Sequence, residues 1–160
     1  MPIHISGTGS FIPKNKVDNN SFSDKLFFDK DGNEYPNSND EIIEKFQTIT
    51  GIKERRYANK EHKTSDLATF AAQNAIKDAG IDKETIDYII VAHNFGDIEY
   101  GTNQYIALPS VATMVKHKLN ILNENCVAYD IIFGCPGWIE GVIQASAFIK
   151  SKMAKRCLVI

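Results

Sequence analysis

The chain has 160 residues, 43% hydrophobic and 24% charged, with a net charge of −2, the composition of a globular domain with a sizeable core and without the basic footprint of nucleic-acid or anionic-membrane binding. No apolar run approaches the roughly 20 residues that span a bilayer, and the start Met1-Pro2-Ile3-His4-Ile5 lacks the basic and apolar regions of a signal peptide. Three cysteines, Cys126, Cys135 and Cys157, form no CxxC pair, which predicts free thiols in a reducing, cytoplasmic setting.

Ile3 to Ile12 reads as a first strand with a glycine bend at Gly7-Thr8-Gly9. A dinucleotide-binding GxGxxG fails there, because Ile12 and Pro13 stand where glycine and a helix start belong. Asp18 predicts a capped short helix to about Leu26, and Phe27 to Tyr35 predicts a hairpin turning on Asp31-Gly32. The Asp29/Asp31/Asn33 spacing resembles a calcium loop, but Glu34 occupies the glycine position and the downstream glutamate is missing. Asn39 or Asp40 is expected to cap a helix bearing Ile42, Ile43, Phe46 and Ile49, stopped by Gly51.

Beyond a basic stretch (Lys53, Arg55, Arg56, Lys60, Lys63), Ser65 is expected to cap a helix running to Gly80. Asp87 to His93 reads as a strand buried on both faces. A loop with Gly96 and Gly101 leads to a helix over Pro109 to Leu119, and Cys126 to Phe133 reads as a second buried strand. This alternation predicts a mixed, mostly parallel α/β sheet with right-handed crossovers.

Pro136 to Ile149 predicts a helix with Glu140 as its only ionisable side chain and apolar residues nearly all round. Such a helix is buried on both sides, and one sheet covers only one. Gly137 and Gly141, four apart, invite another backbone to approach closely. The chain ends inside the apolar run Cys157-Leu158-Val159-Ile160, where natural domains rarely stop. Both features predict a fragment of a larger protein.

Cys135 is the candidate nucleophile. Pro136 suits a first helical position, so Cys135 falls beside the helix N-terminus, just past the end of a strand. Free amides and the helix dipole there favour a thiolate, and the same N–H groups can hold an oxyanion. Cys126 and Cys157, inside strands, read as buried structural cysteines. His93, at the same sheet edge, is the one histidine worth testing for chemistry, although a structural role is expected. His4, His62 and His117 have no zinc-ligand spacing. Asp130, in a buried strand, is expected to be satisfied by backbone donors.

At these residues the chain resembles the β-ketoacyl-acyl-carrier-protein synthase III family of the thiolase-like superfamily. The resemblance rests on Gly7-Thr8-Gly9-Ser10 with Ile12-Pro13, Thr50-Gly51-Ile52-Lys53-Glu54-Arg55, Asp87 to Ala92, Leu108-Pro109-Ser110, and Tyr129-Asp130-Ile131 before Cys135. It covers nearly the whole chain. It implies a five-layer α/β/α/β/α fold of two similar halves, residues 1–160 forming the N-terminal half-domain, usually in a homodimer. It also implies a decarboxylative Claisen condensation in which Cys135 carries the acyl group. The acyl donor would be acyl-CoA or an acyl carrier protein thioester, and malonyl carrier protein the extender, with no bound cofactor or metal. Leu108 and Trp138 would contact substrate, Leu108 in the neighbouring subunit's acyl pocket. The family's histidine and asparagine would lie in the absent half, so the 160 residues alone are expected to be inactive.

The chain departs from the family in three places. Ile42 to Ile49 carries neither the tryptophan nor the arginine that often grips coenzyme A, Pro136 and Trp138 flank the cysteine, and the Phe27 to Tyr35 hairpin reads as an insertion. These departures imply a specialised member in secondary lipid or polyketide synthesis. Two alternatives stand beside condensation: a same-fold acyltransferase that passes the acyl group to an alcohol or amine, and a non-catalytic subunit whose Lys53 to Lys63 run meets an acidic carrier protein.

Overall fold

The computed structural model describes residues 2–160; Met1, where the signal-peptide reading begins, lies outside the described residues. Ile12–Asn59 form one compact unit, and the residues up to Phe11 with Lys60–Ile160 form another. No helix among the described residues is long and apolar enough to cross a membrane.

In the smaller unit, β1 (Asn15–Asp18) leads through a single 3-10 turn to the Phe27–Tyr35 hairpin, α1 (Asn39–Thr50) and β2 (Glu54–Tyr57). β1 and β2 pair antiparallel, Asn15 opposite Tyr57 and Asp18 opposite Glu54. The helix expected from Asp18 to Leu26 shrinks to Asn19–Phe22: Asp18 caps it through the Ser21 amide at 2.9 Å, but its i→i+3 bonding does not propagate. The hairpin forms with one bridge, Phe28 to Glu34, and Gly32 takes φ 84°. The Asp29 carboxylate accepts from the amides of Asp31 and Asn33 at 2.8 and 2.9 Å. The bonds from Asn33 are the main influence holding it below the usual carboxylate range.

The cap of α1 is Ser38, not Asn39 or Asp40. Ser38 and Glu41 form a reciprocal capping box, while the Asn39 amide reaches the carbonyls of Ser23 and Lys25. Gly51, at φ 70°, ends the helix as expected. Phe46 meets Phe22 and Phe27 edge-on, with centroids 5.8 and 5.7 Å apart. Into this cluster comes Arg55, its guanidinium 5.3 and 5.4 Å from the Phe22 and Phe46 centroids and bonded to Asn19 Oδ1 at 2.7 Å.

The larger unit contains α2 (Thr64–Ala79), β3 (Tyr88–His93), β4 (Asp97–Ile98), β5 (Tyr105–Ile106), α3 (Val111–Lys118), β6 (Val127–Ile132), α4 (Gly137–Lys150) and β7 (Cys157–Val159). β6, β3 and β7 form a parallel sheet in that order. Alternation along β3 divides its side chains between two layers. Ile89 and Val91 join the core made with α2 and α3 residues Ala68, Ala72, Val111 and Val115. On the other face Tyr88 stacks on Phe148 of α4, with centroids 4.6 Å apart. β3 is thus covered on both sides, as its unbroken apolar run predicts.

Three expectations need correction here. The segment Ile3–Ile12 is not a strand. Residues 7–11 of it lie along α2, where a Cβ on Gly7 would come 2.4 Å from the Ala79 nitrogen and one on Gly9 2.2 Å from the Ala75 nitrogen. Its backbone bonds go to helix side chains, Thr8 N–H to Asp78 at 2.8 Å and Ser10 C=O from Asn74 at 2.9 Å. Second, β6 is an edge strand rather than a buried one, with Ile132 74% exposed. Third, Ser65 does not cap α2. Lys63 holds that position, and Ser65, fully buried, donates through its amide and hydroxyl to Asp97 at 2.7 and 2.6 Å.

Gly137, Gly141 and Ala145 are the buried residues of α4. A Cβ on Gly141 would sit 2.7 Å from Val159 Cγ1, and one on Gly137 3.1 Å from Ala92 Cβ. The expected close approach is therefore to the sheet. Trp138, Ile139 and Ile143 remain exposed.

Candidate active site

β6 ends at Ile132 and α4 begins at Gly137, so Phe133, Gly134, Cys135 and Pro136 make the whole turn between strand and helix. The turn is closed by Gly137 N–H donating to Gly134 C=O at 2.9 Å and pinned to β3 by Phe133 N–H donating to His93 C=O at 3.1 Å. Pro136, at φ −84° and ψ 7°, is the N-cap rather than the first helical residue. Cys135 stands one residue outside the helix, beside a first turn whose N–H groups have no intrahelical acceptor. N–H groups so placed can hold a developing oxyanion.

Of the three free cysteines, Cys135 is exposed, Cys126 is buried and Cys157 is half-buried. Burial pushes the Cys126 thiol up, and the Cys157 thiol up to about 11. Cys157 lies in β7 as expected, whereas Cys126 stands one residue before β6 rather than inside it.

Cys135 opens onto a depression of about 260 Å³ shared with Ala92, His93, Asn94, Phe133, Gly134 and Trp138. It lies at the C-terminal ends of β3 and β6, where open α/β sheets hold ligands. Trp138 is brought beside Cys135. Leu108 is not: it is 85% exposed on the loop before α3 and is joined to Pro109 by a cis peptide bond. Its neighbours Tyr105, Ile106 and Ala107 instead line a second depression of about 290 Å³, with Phe95, Gly96, Asp130, Ile132, His93 and Asn94.

His93 is held at both ring nitrogens. Its Nδ1 accepts from the Gly96 amide at 2.8 Å, and its Nε2 lies 2.9 Å from Asp130 Oδ2. The amide at Nδ1 requires that the ring proton sit on Nε2 and point at Asp130. Asp130 in turn receives the α3 amides of Val111 and Ala112, both at 2.7 Å. The carboxylate is thus satisfied by backbone donors at a helix N-terminus. Asn94 was not anticipated as a lining residue, although its place just past the end of β3 is a signal for one. Of the basic stretch, Arg55 is turned into the aromatic cluster and Arg56 pairs with Glu54 at 2.9 Å. Among the described residues no group of three or more His, Cys, Asp or Glu could hold a metal.

No protein-family model matches the chain. A protein of Neisseria meningitidis named beta-ketoacyl-[acyl-carrier-protein] synthase III is 41% identical over 156 residues, 98% of this chain and 42% of that protein. Two crystal structures of synthase III proteins share its fold. The Thermus thermophilus protein has a TM-score of 0.73 at 29% identity, covering 97% of this chain and 41% of the other. The Aquifex aeolicus protein has a TM-score of 0.73 at 31% identity, covering 96% and 42%. The chain therefore spans about two fifths of the length of the relatives it matches.

Proposed function

We propose, for a chain that belongs to the β-ketoacyl-acyl-carrier-protein synthase III family, that Cys135 is the nucleophile of a condensing enzyme. The observation that carries this reading is the exposed thiol at the strand-to-helix turn, in a depression it shares with Trp138. In the proposed reaction the Cys135 thiolate attacks an acyl thioester of coenzyme A or a carrier protein. The new C–S bond forms as the pantetheine thiol leaves. Malonyl carrier protein then loses carbon dioxide, and the resulting carbanion attacks the Cys135 thioester. The β-ketoacyl carrier protein departs and the thiol is regenerated. Storing the acyl group covalently splits one difficult step into two.

Trp138 is proposed to flank the acyl group. Leu108 is proposed to act across a homodimer interface, a role its exposure suits. The test is intact mass of the full-length protein after incubation with acyl thioesters. One acyl adduct is expected, lost in Cys135→Ala; an adduct that survives the substitution, or none at all, overturns the reading. Residues 1–160 alone are expected to form no carbon–carbon bond, because the exposed apolar side of α4 leaves the cysteine's helix half covered. Detection of β-ketoacyl product from them would contradict that.

A further inference from the structure

The two depressions at the sheet edge share His93 and Asn94. The first also includes Cys135; the second is a largely apolar space bounded by Phe95, Tyr105, Ile106 and Ile132. The two shared residues open a turn that runs on to Gly96, which takes φ 73° and lines the second depression. What holds the turn is a short relay: the Gly96 amide on His93 Nδ1, His93 Nε2 on Asp130, and Asp130 on the first amides of α3. Both His93 and Asp130 have side chains at most 14% exposed, so the relay is shielded from competing water. His93 has both ring nitrogens engaged and is therefore not free to take a proton from substrate.

Resting on the reading of Cys135 as acyl carrier, we infer that His93 is a positioning residue that sets acyl-chain length. By fixing the His93–Gly96 turn it keeps Asn94 as a partition, which confines the acyl group on Cys135 to the smaller depression. Release of the turn joins the two spaces and admits a longer chain. Hydrophobic chain-length selection of this kind is worth on the order of tenfold or more in relative rate.

The experiment measures acylation rate constants of the full-length protein with acetyl and dodecanoyl thioesters, by intact mass. His93→Ala removes the acceptor for Gly96 and the donor to Asp130 together. It is expected to raise the dodecanoyl-to-acetyl ratio on the order of tenfold. His93→Asn offers a carbonyl to the Gly96 amide and an N–H group beside it, and is expected to return the ratio toward that of the unsubstituted protein. Asn94→Gly leaves the relay intact and thins the partition, so it is expected to shift the ratio in the same direction without depending on how His93→Ala folds. An unchanged ratio in Asn94→Gly, or an equal loss with both thioesters in a folded His93→Ala, overturns the inference while leaving Cys135 as acyl carrier. Absence of any adduct on the unsubstituted protein overturns both.

Discussion

Arg55 gives a physical meaning to the last residue of the Thr50-Gly51-Ile52-Lys53-Glu54-Arg55 motif. Its charge is placed against two aromatic faces, and one N–H is bonded to Asn19, whose own side-chain amide donates to Ile52 C=O at 2.9 Å. A cation–π contact is worth about 0.5–2 kcal/mol and a charge-assisted hydrogen bond about 1.5–3 kcal/mol. Arg55→Ala is expected to lower the stability of the protein by about 1–3 kcal/mol, read as a lower urea midpoint. Arg55→Lys should recover little, because an ammonium cannot reproduce the planar stacking. Cys157 makes a second prediction at this scale. Burial raises its thiol pKa from 9.0 to about 11. Between those values the unfolded chain has lost a proton that the folded chain keeps, so stability falls as pH rises from about 9 to about 11. Cys157→Ala should flatten that part of a Tm-against-pH profile, and an unchanged slope would show that other groups set it.

At the scale of elements, helix ends and periodicity were legible and partners were not. The apolar spacing of α1 and the glycines that stop α1 and α2 could be read directly, because those signals are local. The caps were displaced by a residue or two. Ser65 is a good cap by type, yet the nearby carboxylate of Asp97 draws it into a buried pair. Ile3–Ile12 has strand-like composition, but a strand exists only through a neighbour, and this segment takes helix α2 as its support. The turn at Cys135 was legible because proline and glycine encode it in sequence; the relay from Gly96 through His93 to Asp130 was not, since it joins residues 37 positions apart. The α4 seam supplies a prediction. Gly141→Val must push Val159, whose Cγ1 is already 2.7 Å from an added Cβ. A loss of about 1–3 kcal/mol is expected, measurable as a fall in Tm. Ser146→Ala, off the buried seam of Gly137, Gly141 and Ala145, serves as the control.

At the scale of the whole molecule, the exposed thiol of Cys135 stands at the start of a helix that is covered on one side only. β3 is enclosed on both faces, but Trp138, Ile139 and Ile143 are each more than half exposed. Sequence could reveal this asymmetry, because a helix without a polar face needs two neighbours. It could not show which side the glycines would serve. In the folded chain they serve the sheet, drawing α4 tight against β3 and β7 and leaving the bulky side chains turned outward.

The outward position of Trp138 has an optical consequence. It is the one tryptophan in these 160 residues, it is 51% exposed, and it borders the same depression as Cys135. Indole emission moves to shorter wavelength when apolar groups replace water around the ring, so the residue is placed to signal events at the thiol. Loading a long acyl chain should shift the emission maximum toward the blue, and loading acetyl should shift it less. Trp138→Phe in the full-length protein would remove this residue's part of the emission, and Cys135→Ala would leave that part unresponsive to thioester. An emission spectrum indifferent to acylation would place the bound chain away from the indole. The fluorimeter can thus follow in real time what mass spectrometry records only at its end points.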